Sequence, residues 1–368
     1  MPAEKGRIPY FDYLRVLATV GVIFLHVSSY SWWATSINES EWQVFNLYTG
    51  SVRWCVPVFV MISGAIFLER TVNIKLLFRK HVAKMIIAYA IWSCIYYFDT
   101  HKEFAITIQS VTEGYYHLWF VPVIAGLYIC VPLLQKIAKS EYLNYYLLLC
   151  FFVMVLVPTI TTLATDFGND GLRSNVNLLV KCLQDMAFWG RMHYGFYFCL
   201  GYWIHSVIHP SKRQRGLTYA MGIIGCAATI VLNSELCNRT QSYEQHYFEV
   251  FSLNVMLTSV AVFVLFRHIN FLNRTRLNRI IAWLGKYCFF IYLVHALVLK
   301  KMMDWWGVNT WSVSAPVVSV PVLTCAVFVV SLVIAVLVSQ VPAFWRWIMK
   351  REGGDKEEGE ELTEESNA

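Results

Sequence analysis

Arg15 and His26 stand eleven residues apart in the stretch DYLRVLATVGVIFLHVSSY, residues 12–30. An imidazole takes up and releases a proton near neutral pH, and a guanidinium grips anions through a fork of donors, so the two types together suit acid–base chemistry beside a negatively charged ligand. The rest of the stretch is apolar and long enough to cross a bilayer, where ionisable groups are expensive and mark functional positions. At 3.6 residues per turn the separation is almost three full turns, so both side chains leave the same face, about 16 Å apart along the axis. Thr19 and Val22 fill the stripe between them, and Asp12 is the expected i,i+3 partner of Arg15. Such a face has to look into a helix bundle or a wet cavity, because lipid would leave both heads unsolvated.

Other apolar stretches carry groups that a plain spanning helix omits. Arg53 opens GSVRWCVPVFVMISG, where Pro57 and Gly64 are placed to bend the helix and free backbone groups. Arg79, Lys80, His81 and Lys84 form a basic cluster at the start of another segment. His117 and Trp119 lie in GYYHLWFVPVIAGLY, and Lys286 and His295 in LGKYCFFIYLVHALVL. Each has a plainer reading beside the functional one. Histidine and tryptophan collect in interfacial belts, basic clusters are drawn to anionic lipid headgroups, and Lys286 can snorkel to the membrane surface. His26, about fourteen residues into its helix, is least easily explained that way.

The elements that must position these groups follow from composition. The chain of 368 residues is 57% hydrophobic, 16% aromatic and 15% charged, with a mean hydropathy of +0.49. This composition predicts an all-α polytopic membrane protein. Ten segments are long and apolar enough to span: 12–30, 49–68, 82–98, 117–135, 143–161, 191–208, 217–232, 249–266, 280–299 and 318–340. The first is read as a retained anchor, since no small-residue cleavage site follows it. Lys and Arg gather on alternate loops, with the groups at Lys75–Lys84, Lys212–Arg215 and Arg267–Arg279 on the side of the N-terminus, and only Lys102, Arg173, Lys181, Arg239, Lys300 and Lys301 opposite. The positive-inside rule then puts both termini in the cytoplasm. Residues 1–348 form the membrane domain, and 349–368, GGDKEEGEELTEESNA within it, read as an acidic disordered cytoplasmic tail. The net charge of +6 is spread over loops without interleaved aromatics, which argues against nucleic acid. No Cys, His or carboxylate cluster has metal-ligand spacing. Cys182 and Cys237 fall in outer loops, where a disulfide is permitted.

The Arg15–His26 spacing, together with VPVFVMISG at 56–64, YHLWFVPVIAGLYICVPLL at 116–134, FYFCLGYWI at 196–204 and LGKYCFFIYLVHALVL at 284–299, resembles the acyltransferase 3 family of bacterial inner-membrane O-acyltransferases. Within that family the likeness is closest to enzymes that decorate enterobacterial-common-antigen-type sugars. The resemblance covers residues 8 to 340 and implies transfer of an acetyl group from cytoplasmic acetyl-CoA to a hydroxyl of a cell-surface or lipid-linked sugar. It implies that His26 is catalytic, as general base or acyl-carrying nucleophile, and that Arg15 assists. Arg15, Arg79, Lys80, His81 and Lys84 are then expected to meet the CoA phosphates, and Arg53, His117, Trp119 and His295 the sugar or the reacting carbonyl. Where many relatives carry Arg-x-x-Arg, this chain reads His81-Val82-Ala83-Lys84, which replaces a bidentate grip with a point charge. A transporter or flippase without chemistry is the competing class, although it has no need of a basic CoA-sized mouth.

Overall fold

The computed structural model describes residues 7–70, 72–101, 107–169, 171, 175–176, 193–269, 271 and 275–340. Among these residues every regular element is helical. Eight helical segments are long and apolar enough to cross a membrane, or nine if one bent pair counts as a single span. The chain is therefore an all-α, multi-pass membrane protein. The segment expected at 191–208 appears as a helix from His193 to Tyr202 with a π-helical turn to Val207, and it follows directly on residues outside the description. Cys182 and the tail at 349–368 also lie outside the described residues.

Helix α1 (Pro9–Ala34) starts at a proline, which costs nothing where the first amides have no intrahelical acceptor. It is the central pillar of the bundle. Around it pack α2 (Ser40–Ser51), α3 (Cys55–Phe67), α10 (Leu253–His268), α11 (Thr275–Gly285), α12 (Cys288–Trp306) and α13 (Pro316–Val338). Further out stand α4 (Ile74–His101), the short α5 (Ile108–Thr112), α6 (Phe120–Lys139), α7 (Glu141–Phe167), α8 (His193–Tyr202) and α9 (Lys212–Thr240). The helix at α7 runs to Phe167, so it claims residues expected in the loop that starts at 162. Asp166 in its last turn meets His246 at 3.0 Å.

Two spans are broken, and the first break lies just before Pro57, one of the two residues expected to bend that span. The second span begins at Ser40 and is interrupted at Val52–Trp54. Pro57 explains the position, because a proline ring clashes with the carbonyl four residues earlier, here that of Arg53, and a helix entering Pro57 has to start after it. Pro57 thus sits in the first turn of α3, and Arg53 sits in the break. The other interruption is at Lys286–Tyr287, where α11 and α12 meet at 60°.

Gly64 does not bend α3. It is where α3 and α8 touch backbone to backbone: a Cβ on Gly64 would stand 1.7 Å from the Phe198 carbonyl oxygen, and one on Gly201 would stand 2.0 Å from that of Met61. Neither contact can be relieved by turning a side chain. Gly64→Ala or Gly201→Ala is expected to cost about 3 kcal/mol or more, the upper end of overpacking, seen as a lower thermal midpoint and loss of monodisperse protein in detergent. Gly126→Ala and Gly195→Ala, which meet nothing within 4 Å, serve as controls and should leave both readouts unchanged.

Candidate active site

His26 lies on the inward stripe of α1 and shares a 2.7 Å hydrogen bond between its Nδ1 and the Nε2 of His295. The two rings are almost parallel, at 8° with centroids 5.0 Å apart. His295, on α12, is 0% exposed, and its Nδ1 lies 2.7 Å from the Tyr292 carbonyl oxygen. His117, just before α6, completes the group. Its ring is 4.9 Å from that of His295 and 6.1 Å from that of His26. The Tyr292 hydroxyl donates to the His117 carbonyl, and His117 Nε2 faces the Leu293 carbonyl at 3.4 Å. Tyr96 on α4 fastens the same turn of α12, donating to the Leu293 carbonyl at 2.9 Å and accepting from the Leu297 amide at 3.1 Å. Backbone carbonyls of one turn of α12 thus hold His295 and His117, and the His295 ring in turn holds His26.

A cavity of about 120 Å³ opens below this cluster, at the end of the bundle where α1 begins. Phe59, Phe120 and Tyr292 line it on the side of the histidines, and Arg15, Lys84 and Lys286 are its charged lining residues. Among the described residues no carboxylate lines it. Asp12 forms the expected i,i+3 ion pair with Arg15, at 3.6 Å. Its shorter contact, 2.7 Å, goes to Arg7, which also donates to the Ala282 carbonyl at 2.8 Å. Arg15 Nη1 is left buried and without a hydrogen bond. Lys84 is buried, with its ammonium 5.3 Å from the centre of the Phe289 ring. Three cations in a mostly apolar pocket create a field for an anion with several charges.

A second, larger cavity of about 420 Å³ lies along the other end of α4. Its aromatic lining comprises Tyr89, Tyr96, Tyr97, Tyr115, Tyr116 and Trp119. Tyr96 and Tyr115 stack at 4.4 Å and 9°. Tyr116 brings this cavity to the histidines, with its ring edge-on to His26 at 5.1 Å and 85°. Gly114, at φ 68°, makes the turn into this wall, and a Cβ there would stand 2.8 Å from the Tyr89 hydroxyl. That hydroxyl donates to the Thr112 carbonyl at 2.8 Å.

The residues singled out in the sequence are thus distributed unevenly. Arg15 and Lys84 line the small cavity, Trp119 lines the large one, and His26, His117 and His295 stand between them. None of the three histidines is among the described lining residues of either cavity, and His117 and His295 are buried. Arg79, Lys80 and His81 lie on the π-helical turn Leu77–Val82 and are not among the lining residues. His81 packs edge-on against Phe67 at 4.9 Å and 88°. Arg53 lines neither cavity. Its guanidinium lies 4.3 Å from the centre of the Phe248 ring, and its Nε is buried without a hydrogen bond.

Lys286 does not simply snorkel to the membrane surface, because the helix break turns it into the small cavity. Tyr96 and Tyr292 were not singled out. Tyr292 carries a legible signal, since it lies three residues before His295 and therefore on the same side of α12.

The fold and site define a polytopic helical membrane protein with a buried histidine centre set between a cationic cavity and an aromatic one. A family model described as an acyltransferase domain, acyltransferase 3, matches residues 8–339. The chain belongs to the acyltransferase 3 family and is a membrane acyltransferase. Neither a curated protein nor a solved structure matches it at the significance required.

Tyr96→Phe removes a buried hydroxyl that serves both a carbonyl and an amide of α12, and the expected loss is about 1–3 kcal/mol. A lower thermal midpoint of the purified protein checks it.

Proposed function

We propose that this acyltransferase moves an acetyl group from acetyl-CoA, entering from the cytoplasm, to a hydroxyl of a cell-surface or lipid-linked sugar on the opposite side of the bacterial inner membrane. The observation that carries the reading is the histidine cluster of His26, His117 and His295, which meets the aromatic cavity through Tyr116 and the cationic one through Tyr292. The cationic cavity suits the phosphates of CoA. The alternation of Lys and Arg over the loops argues that its side is cytoplasmic. The aromatic cavity suits a sugar, whose ring faces are apolar and whose hydroxyls are polar, as tyrosine side chains are.

On this reading His26 takes the proton of the acceptor hydroxyl as the oxygen attacks the thioester carbonyl. A C–O bond forms, the C–S bond breaks, and the CoA sulfur leaves with the proton carried by His26. The developing oxyanion needs donors. Arg53, with its buried unpaired Nε, is the candidate for that role. Arg15, Lys84 and Lys286 hold the donor's phosphates. An O-acetyltransferase of sugars of the enterobacterial-common-antigen type is the finer form of the reading, supported by the sequence resemblance alone.

Radiolabelled acetyl-CoA offered to the protein in membranes that contain its acceptor should label the glycan fraction, whereas a transporter without chemistry would leave the label on CoA. His26→Ala, present at the wild-type level, should give no transfer. Transfer by that variant removes the central role given to His26. Arg15→Ala and Lys84→Ala should raise the KM for acetyl-CoA about tenfold or more, the worth of one charge-assisted hydrogen bond. Mass spectrometry of surface glycans with and without the gene should differ by one acetyl unit.

A further inference from the structure

The hydrogen bonds around His26 have a direction that follows from what each atom can do. A backbone carbonyl only accepts, so the 2.7 Å contact between His295 Nδ1 and the Tyr292 oxygen requires a proton on Nδ1. A neutral imidazole carries one N–H, and the Nε2 of His295 then presents a lone pair. That lone pair lies 2.7 Å from His26 Nδ1, which has to be the donor. His26 in turn keeps its lone pair on Nε2, the nitrogen for which no described residue provides a hydrogen bond. The reverse assignment needs an imidazolium at His295. That ring is fully enclosed, its ring contacts are His26, His117 and Tyr292, and none of them is a carboxylate. A charge buried there would be uncompensated.

We infer that His295 is a positioning residue for His26: it locks His26 in the tautomer whose Nε2 is the free base, and it shares the proton that His26 gains during acyl transfer. The inference rests on His26 acting in catalysis as proposed above. When the acceptor hydroxyl gives its proton to His26 Nε2, the His26 Nδ1–H already points at the lone pair of His295, and the positive charge is shared across the hydrogen bond between two nearly coplanar rings. As the C–S bond breaks, the thiolate takes the proton from His26 Nε2, and both rings return to the neutral state. The oriented base thus has a neutral imidazole backed by a carbonyl where many hydrolases use a carboxylate.

The inference is tested with His295→Leu and His295→Gln in the full-length protein, each checked for wild-type level and melting behaviour. Labelled acetyl-CoA and membranes that contain the acceptor supply the assay. His295→Leu should lower kcat about a hundredfold or more while the KM for acetyl-CoA stays within about twofold, because the tautomer is lost and the cationic cavity is untouched. His295→Gln keeps an acceptor oxygen for His26 and an amide donor for Tyr292, and it should recover about tenfold over the leucine variant. Equal losses in the two variants, a loss confined to KM, or a leucine variant with wild-type kcat overturns the inference while the wild-type activity leaves the proposed function standing. An inactive wild type overturns the proposed function itself. Solid-state ¹⁵N spectra of histidine-labelled protein give a readout independent of activity. His26 protonated on Nδ1 and bare on Nε2 is the expected signature, and a protonated Nε2 overturns the lock.

Discussion

A polar side chain in the hydrocarbon region of a membrane has to find its partners inside the protein, and α1 carries several. That single constraint places α1 at the centre of the bundle. Thr19 returns its hydroxyl to the Arg15 carbonyl, Ser31 meets Thr310, and His26 meets His295. Asp12 is closed off by Arg7, which is itself tied to α11. The exception is Arg15 Nη1, buried without a hydrogen bond where the cavity opens. Its charge is offset by Asp12 at 3.6 Å, but this donor is left without an acceptor beside the cavity, where an unmade hydrogen bond is costly.

The helix breaks serve the same end. An unbroken second span would carry Arg53 in a regular helical ladder, whereas Pro57 forces the chain to restart and leaves Arg53 at an irregular turn. An unbroken α11–α12 span would leave Lys286 near the membrane surface. The 60° bend brings it beside Arg15 and Lys84. Irregular backbone is tolerated at membrane depth where it lines a cavity, and Lys286–Tyr287 meets that condition.

Much of this was legible in the sequence because it depends on period and composition. Apolar runs of bilayer length announced the spans, and the spacing of Arg15 and His26 announced a shared face. Partners far apart in sequence were not legible. Asp12 has two arginines within reach, and spacing along a helix favours Arg15, whereas the tertiary position of Ala282 draws Arg7 in and gives it the short contact. His295 could be recognised as an unusual residue in an apolar helix, but its bond to His26 depends on the crossing of α1 and α12. Residues 40–48 carry too many polar groups to read as membrane helix, yet they form α2, whose Asn46 is buried against the Ile230 carbonyl and Trp32.

The His26–His295 bond also has a consequence for assembly. Its two rings are separated by 269 positions, and a chain made at about 5–20 residues per second leaves the earlier ring waiting on the order of ten to fifty seconds for the later one. Throughout that interval the first span has to reside in the translocation machinery or the bilayer with its imidazole unsatisfied. The nascent protein therefore stays unfinished until the last third of its length is inserted, and the histidine cluster is among the final features to close.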